Sequence, residues 1–94
     1  MDFISEHIYL IEPLPFGGIL AFDQEYMYLY IGNRSHCCQA IKLRNSMIIT
    51  SLLQVDEYDD SKKRIKNSGS TLLRYLAGTE QGQVYMIAFN LKLI

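Results

Sequence analysis

From Gln83 to Ile94 the chain alternates without interruption, with Tyr85, Ile87, Phe89, Leu91 and Leu93 on one parity and Val84, Met86, Ala88, Asn90 and Lys92 on the other. A period of two sustained over this length predicts one long strand, because successive side chains of an extended backbone leave on opposite faces. A strand leaves its backbone N–H and C=O groups to be paired by neighbours, so the rest of the chain has to supply further strands.

Candidates are plentiful. Gly18–Phe22 and Glu25–Ile31 are extended runs separated by Asp23-Gln24, and the second alternates Tyr26, Tyr28 and Tyr30 with Met27, Leu29 and Ile31. This pattern predicts a hairpin. One face of its second strand meets the core, and the tyrosines cover a second, half-buried surface with their hydroxyls in water. The alternative is that the three tyrosines themselves line a barrel interior. Phe3 to Glu12, compatible with a strand or a short helix and tilted to a strand by its β-branched content, Cys37 to Leu43 and Met47 to Val55 are three further candidate strands, giving five before residue 56. Pro13 and Pro15 interrupt any ladder between the first and second, and Gly17-Gly18 and Gly32-Asn33-Arg34-Ser35 carry turn chemistry.

Asp56 to Ser70 is the one stretch poor in apolar residues. It passes from acid (Asp56, Glu57, Asp59, Asp60) to base (Lys62, Lys63, Arg64, Lys66) and predicts an exposed loop or a long hairpin tip. Ser70 suits a helix N-cap, Leu72, Leu73 and Leu76 fit helical spacing, and Gly78 stands where a C′ glycine would, so one or two helical turns are expected there.

At 94 residues and 49% hydrophobic content there is room for one folded domain, residues 1–94, and not for two. The expected fold is mainly β with a minor helical part: a small antiparallel barrel or a strongly bent sheet with one short helix. A domain this small leaves its sheet incompletely covered, so self-association is expected, with Gln83 to Ile94 as the exposed edge.

A formal charge of −1 provides no general field for phosphates. Lys62-Lys63-Arg64-Ile65-Lys66 could touch nucleic acid or an anionic membrane, with Tyr26, Tyr28 and Tyr30 as a stacking platform. Four acids just upstream cancel much of that field within a Debye length of about 8 to 10 Å, so neither contact is the expected one. The start of the chain, Met1-Asp2-Phe3-Ile4-Ser5-Glu6, has no basic region, and no apolar run approaches the roughly 18 residues of a spanning helix. An unexported, cytoplasmic protein is expected.

Cys37 and Cys38 are the only cysteines, and neighbours make a poor disulfide. With His36 they offer zinc-type ligands, yet adjacent strand residues point to opposite faces and cannot converge on one ion without a bulge, so no metal is expected. Two histidines and no nucleophile motif give no Cys-His or Ser-His-Asp assignment. The acids at 56–60 lack the glycine and terminal Glu of a calcium loop, and no glycine-rich phosphate cradle occurs. No cofactor and no catalytic residue is expected.

The run Gly18-Ile19-Leu20-Ala21-Phe22-Asp23-Gln24-Glu25-Tyr26-Met27-Tyr28-Leu29-Tyr30, with Ala40-Ile41-Lys42-Leu43 and Leu52-Leu53-Gln54-Val55-Asp56-Glu57-Tyr58, resembles the early strands of bacterial pleckstrin-homology-like (GRAM-like) domains. There a glycine-led hairpin precedes an "Ile-x-Leu" strand and one ending in "Val-x-x-Tyr/Phe". Lys62 to Gly78 is similar to the linker before the glycine-rich insertion of some such proteins. That insertion is missing here, and no residues follow Ile94 for the C-terminal helix, so the resemblance implies a barrel open at one end. It also implies a binding module for protein or peptide partners, sometimes lipids, with no catalytic residues to carry over.

The sequence reading is thus a non-enzymatic interaction module with a protein partner. Its expected contact residues are Tyr26, Tyr28 and Tyr30 together with Asp59, Asp60, Lys62, Lys63 and Arg64, since tyrosines dominate interface hot spots and loops on a sheet carry specificity. The alternative, which its size and its many Ile and Tyr residues also fit, is a small phage or mobile-element inhibitor that blocks a host protein surface.

Overall fold

The structure, a computed structural model, describes residues 7–31, 37–44, 47–66 and 69–93. Its strands are β1 (Leu10–Pro13), β2 (Gly18–Phe22), β3 (Tyr26–Ile31), β4 (Cys37–Lys42), β5 (Ile49–Gln54), β6 (Tyr58–Asp59), β7 (Arg64–Ile65), β8 (Leu72–Thr79) and β9 (Val84–Asn90), followed by a single 3-10 turn at Leu91–Leu93. The first four form an antiparallel meander, β1-β2-β3-β4. A second sheet has the order β5-β8-β9, and β6 and β7 pair as a separate hairpin.

One core lies between the two sheets. Leu20, Phe22, Met27 and Leu29 enter it from the first, Ile49, Leu73, Tyr75, Ala77 and Phe89 from the second, and Ile65 from the hairpin. The register explains this division. Leu20 stands opposite Leu29 and Phe22 opposite Met27, so the apolar parities of β2 and β3 share a face. On β8 the alternation Leu73, Tyr75, Ala77, Thr79 is buried throughout. The ring of Phe89 meets that of Tyr75 edge-on, with centroids 6.2 Å apart.

The mainly β class expected from the sequence is what the chain adopts, without barrel closure. β1 lies against β5, so the sheets follow one another around the core, and β4 and β9 are the outer strands. Pro13 is tolerated because β1 is also terminal in its sheet and Pro13, opposite Ile19, ends the strand.

The helix expected between Ser70 and Gly78 does not form; that segment is β8, the central strand of its sheet. The Leu72 N–H does donate to the Ser70 hydroxyl at 3.1 Å, as it would under a helix cap, but the chain continues extended. Pairing on both sides, with β5 and with β9, overrides the weak local helical signal. The only helical residues among those described are the 3-10 turn at Leu91–Leu93, which ends the long strand four residues before Ile94. The expected first strand shortens to Leu10–Pro13, the part of it before residue 7 lying outside the described residues. No helix among the described residues is long and apolar enough to cross a membrane.

Candidate partner-binding surfaces

On β3, Met27 and Leu29 are 5% and 3% exposed, whereas Tyr26, Tyr28 and Tyr30 are half-buried on the opposite, outer face. The tyrosines therefore do not line the core. Two transverse rows run across this face: Ile11, Ala21, Tyr28 and Ala40, and beside it Pro13, Ile19 and Tyr30. Ile11 is 56% exposed. The rings of Tyr26 and Tyr28 lie tilted against each other with centroids 5.9 Å apart.

The Tyr28 hydroxyl does not face water alone, as the sequence suggested: it donates to Asp23 Oδ2 at 2.8 Å. Asp23 is the organising residue of the β2–β3 turn. Its Oδ1 accepts from the N–H groups of Glu25 and Tyr26 at 2.8 and 2.6 Å, and its own N–H donates to the Tyr26 carbonyl at 3.0 Å. A short side-chain acceptor can hold a turn in this way where a backbone carbonyl cannot reach. An open groove of ≈ 470 Å³ beside this turn is lined by His7, Asp23, Gln24, Glu25, Tyr26 and Tyr28.

The charged stretch is a hairpin tip. Asp59 and Arg64 pair across β6 and β7, and Lys63 turns the chain with a φ of 54°, in the left-handed region. Asp59 Oδ1 accepts from the Ser61 hydroxyl at 2.7 Å and from the N–H groups of Ser61 and Lys62 at 3.1 and 3.3 Å. These bonds, the Ser61 hydroxyl first, hold the Asp59 carboxyl below its ordinary value. Asp59 keeps its negative charge beside Lys62, whose ammonium also helps to lower that carboxyl, and Lys62, Lys63 and Arg64 occupy exposed positions. Burial pushes the Tyr58 phenol up, helped by the charges of Asp60 and Asp59.

The hairpin and the tyrosines occupy different places. Ile65 anchors the hairpin in the core and the Tyr58 ring meets Phe16 at 6.1 Å, just before β2 begins and therefore at the Ile31 end of β3. Tyr26 and Tyr28 lie toward the opposite end, against Asp23. Of the three tyrosines, Tyr30 lies nearest the hairpin end.

A surface absent from the sequence reading lies on the outside of the second sheet. Leu53, Leu76 and Met86 stand in one transverse row across β5, β8 and β9, with Leu53 64% and Met86 52% exposed. Val84 is 67% exposed on the same face. Its sequence signal was the second parity of the final alternation, apolar at Val84, Met86 and Ala88 when a one-sided strand would be polar there.

The thiols of Cys37 and Cys38 and the imidazole of His36 lie outside the described residues. The β3–β4 ladder shifts register there, pairing Leu29 with Gln39 but Tyr30 with Cys37. No group of three or more His, Cys, Asp or Glu side chains able to hold a metal occurs among the described residues. Comparison with known proteins yields no matching family model, no matching curated protein and no matching solved structure.

Proposed function

We propose that this chain is a non-enzymatic, pleckstrin-homology-like protein-interaction module of the cytoplasm, binding a protein partner through the tyrosine face of β3. The observation that carries the reading is the division of β3: Met27 and Leu29 fill the core while Tyr26, Tyr28 and Tyr30 stay half-exposed outside it. Tyrosine supplies large contact area with two rotatable bonds and a polar end, which favours binding at low entropic cost. Exposed Ile11 extends the apolar area on the neighbouring strand. Lys62, Lys63 and Arg64 act at a distance, steering encounter with an acidic partner surface, since exposed charges change association rates more than final affinity.

The test is capture from a host lysate with the immobilised protein, compared with Tyr30→Ala and with a Lys62→Glu, Lys63→Glu, Arg64→Glu variant. The Tyr30→Ala variant is expected to keep its fold by circular dichroism and lose the captured protein. The charge reversal is expected to weaken capture at low salt only. Equal capture by all three folded proteins would remove this surface from consideration.

A further inference from the structure

The strand β9 is unguarded. Its seven residues, Val84-Tyr85-Met86-Ile87-Ala88-Phe89-Asn90, contain no charge and no proline, and its ladder with β8 runs without a bulge. Natural edge strands ordinarily carry one of these devices against pairing with another chain. The direction of its free backbone groups follows from two hydrogen bonds at its ends. Thr79 N donates to the Gln83 carbonyl at 2.9 Å, and Leu91 N donates to the Thr71 carbonyl at 2.7 Å. In an antiparallel ladder the bonded pairs alternate, so Tyr85, Ile87 and Phe89 direct their N–H and C=O toward β8. Those of Val84, Met86, Ala88 and Asn90 point away, and β9 is the terminal strand of its sheet among the described residues.

We propose that β9 pairs with β9 of a second copy of this chain, antiparallel, about a two-fold axis at Ile87. The surface differs from the tyrosine face, so this dimer stands or falls independently of the proposed function. Three features select a second copy in this register. Outward-directed amides have to meet outward-directed amides, and the axis at Ile87 does this by setting Met86 opposite the partner's Ala88 and Val84 opposite the partner's Asn90. A shift of one residue would aim these groups at amides already bonded to β8, and a shift of two would leave strand ends unpaired. Side-chain sizes then alternate usefully: Met86 lies beside the smaller side chain of the partner's Ala88, and half-buried Tyr85 meets the partner's Phe89, so the core extends across the axis. Finally, the row Leu53, Leu76, Met86 of each copy ends at the seam, where the two Met86 side chains become diagonal neighbours on the exposed face of a six-stranded sheet.

The register can be read with charges placed on the exposed parity, where they leave the core untouched. Met86→Lys with Ala88→Lys puts lysine directly opposite lysine at both symmetric pairs. Met86→Lys with Ala88→Glu puts opposite charges there. Sedimentation equilibrium over a dilution series is expected to show a monomer–dimer equilibrium for the unaltered chain. The double lysine variant should be monomeric, and the Lys/Glu variant should dimerise at least several-fold more tightly than it, the difference shrinking in high salt. Ile87→Cys, in a Cys37→Ser, Cys38→Ser background, should oxidise to a cross-linked dimer, because opposed residues at a non-bonded pair have Cβ atoms about 4.5–5.5 Å apart. Tyr85→Cys in the same background should not, its counterpart lying about 13 Å further along the strand. A single monomeric species for the unaltered chain up to high micromolar concentration would overturn the proposal. So would equal association of the two charge variants, or cross-linking at position 85 as complete as at 87.

Discussion

Asp56 accepts three hydrogen bonds from a single residue, Arg74: from its backbone N–H at 3.0 Å and its Nε at 2.9 Å to Oδ2, and from Nη2 at 2.7 Å to Oδ1. Planar two-point pairing of this kind is the strongest geometry available to a carboxylate and a guanidinium. Here it joins the end of β5 to β8, just beyond the bond from the Val55 N–H to the Arg74 carbonyl at 2.9 Å.

The pairing gives the domain a stability that depends on acid. The side-chain hydrogen bonds from Arg74 hold the Asp56 carboxyl below its ordinary value of 3.8, so the folded state favours the ionised form more than the unfolded chain does. That contribution is complete above the unfolded value and disappears as pH falls through the lowered folded one. Asp56→Asn is expected to melt several degrees below the parent at neutral pH. The gap should narrow as the pH falls below about 4, through the carboxylate range. Thermal melts at a series of pH values check both the sign and the window.

Tyr75 sets the alkaline limit. It is fully buried, and burial first, then the charge of Glu12, pushes its phenol up to about 12. The folded state therefore holds the proton more tightly than the unfolded chain, and stability present below about pH 10 is lost as the pH rises through the folded value. Its hydroxyl is a long 3.5 Å from Gln54 Oε1, so the ring does most of the packing. Tyr75→Phe should cost about 1 kcal/mol or less and flatten the alkaline loss, whereas Tyr75→Ala should cost about 3–5 kcal/mol. Urea denaturation at neutral and alkaline pH separates the two.

These two positions also mark what could be read in the sequence. The hairpin of β2 and β3 was legible because Met27, Leu29 and Ile31 alternate with tyrosines and a turn residue, Asp23, stands at the join. Strand β8 was not, because both of its parities hold apolar residues: Leu73, Tyr75 and Ala77 inside, Leu72 and Leu76 outside. With no polar side to declare a period of two, Ser70 and Gly78 read as helix ends. The Asp56–Arg74 pair joins residues 18 apart through a fold that local patterns do not encode. The charged contact residues lie on the predicted hairpin tip, but their separation from Tyr26 follows from Phe16 and Ile65, whose packing is a tertiary matter.

Gly78 has a role other than ending a helix. It pairs with Ser51 where the β5–β8 register shifts, and a Cβ added to it would come within 2.6 Å of the Ser51 hydroxyl oxygen. Gly78→Ala should therefore make the exposed Ser51 hydroxyl rotate away and destabilise by about 1 kcal/mol or less. Ser51→Gly should recover most of the loss in the double variant, since it removes the obstructing atom. Chemical denaturation of the two single variants and the double variant closes the cycle, and additive effects would show that Ser51 is not the obstacle.

The Tyr28–Asp23 bond is the point at which the tyrosine face and the fold depend on each other. Asp23 Oδ1 serves the turn through Glu25 and Tyr26, while Oδ2 takes the Tyr28 hydroxyl, so removing the hydroxyl leaves the turn intact. Tyr28→Phe is expected to lose about 1 kcal/mol, below the range for a buried bond to a charged acceptor because the ring is only half-buried. Asp23→Ala removes the acceptor of all three bonds and should cost about 2 kcal/mol or more. In the Asp23→Ala background the further change Tyr28→Phe should cost less than it does in the parent, since the acceptor of this bond is already gone. Tyr28→Ala tests the ring itself: it uncovers Ala21 across the ladder, and a loss well short of the roughly 3–5 kcal/mol of a core aromatic is expected. A loss as large as that of Tyr75→Ala would mean that the outer face carries core packing and would leave little of it free for a partner.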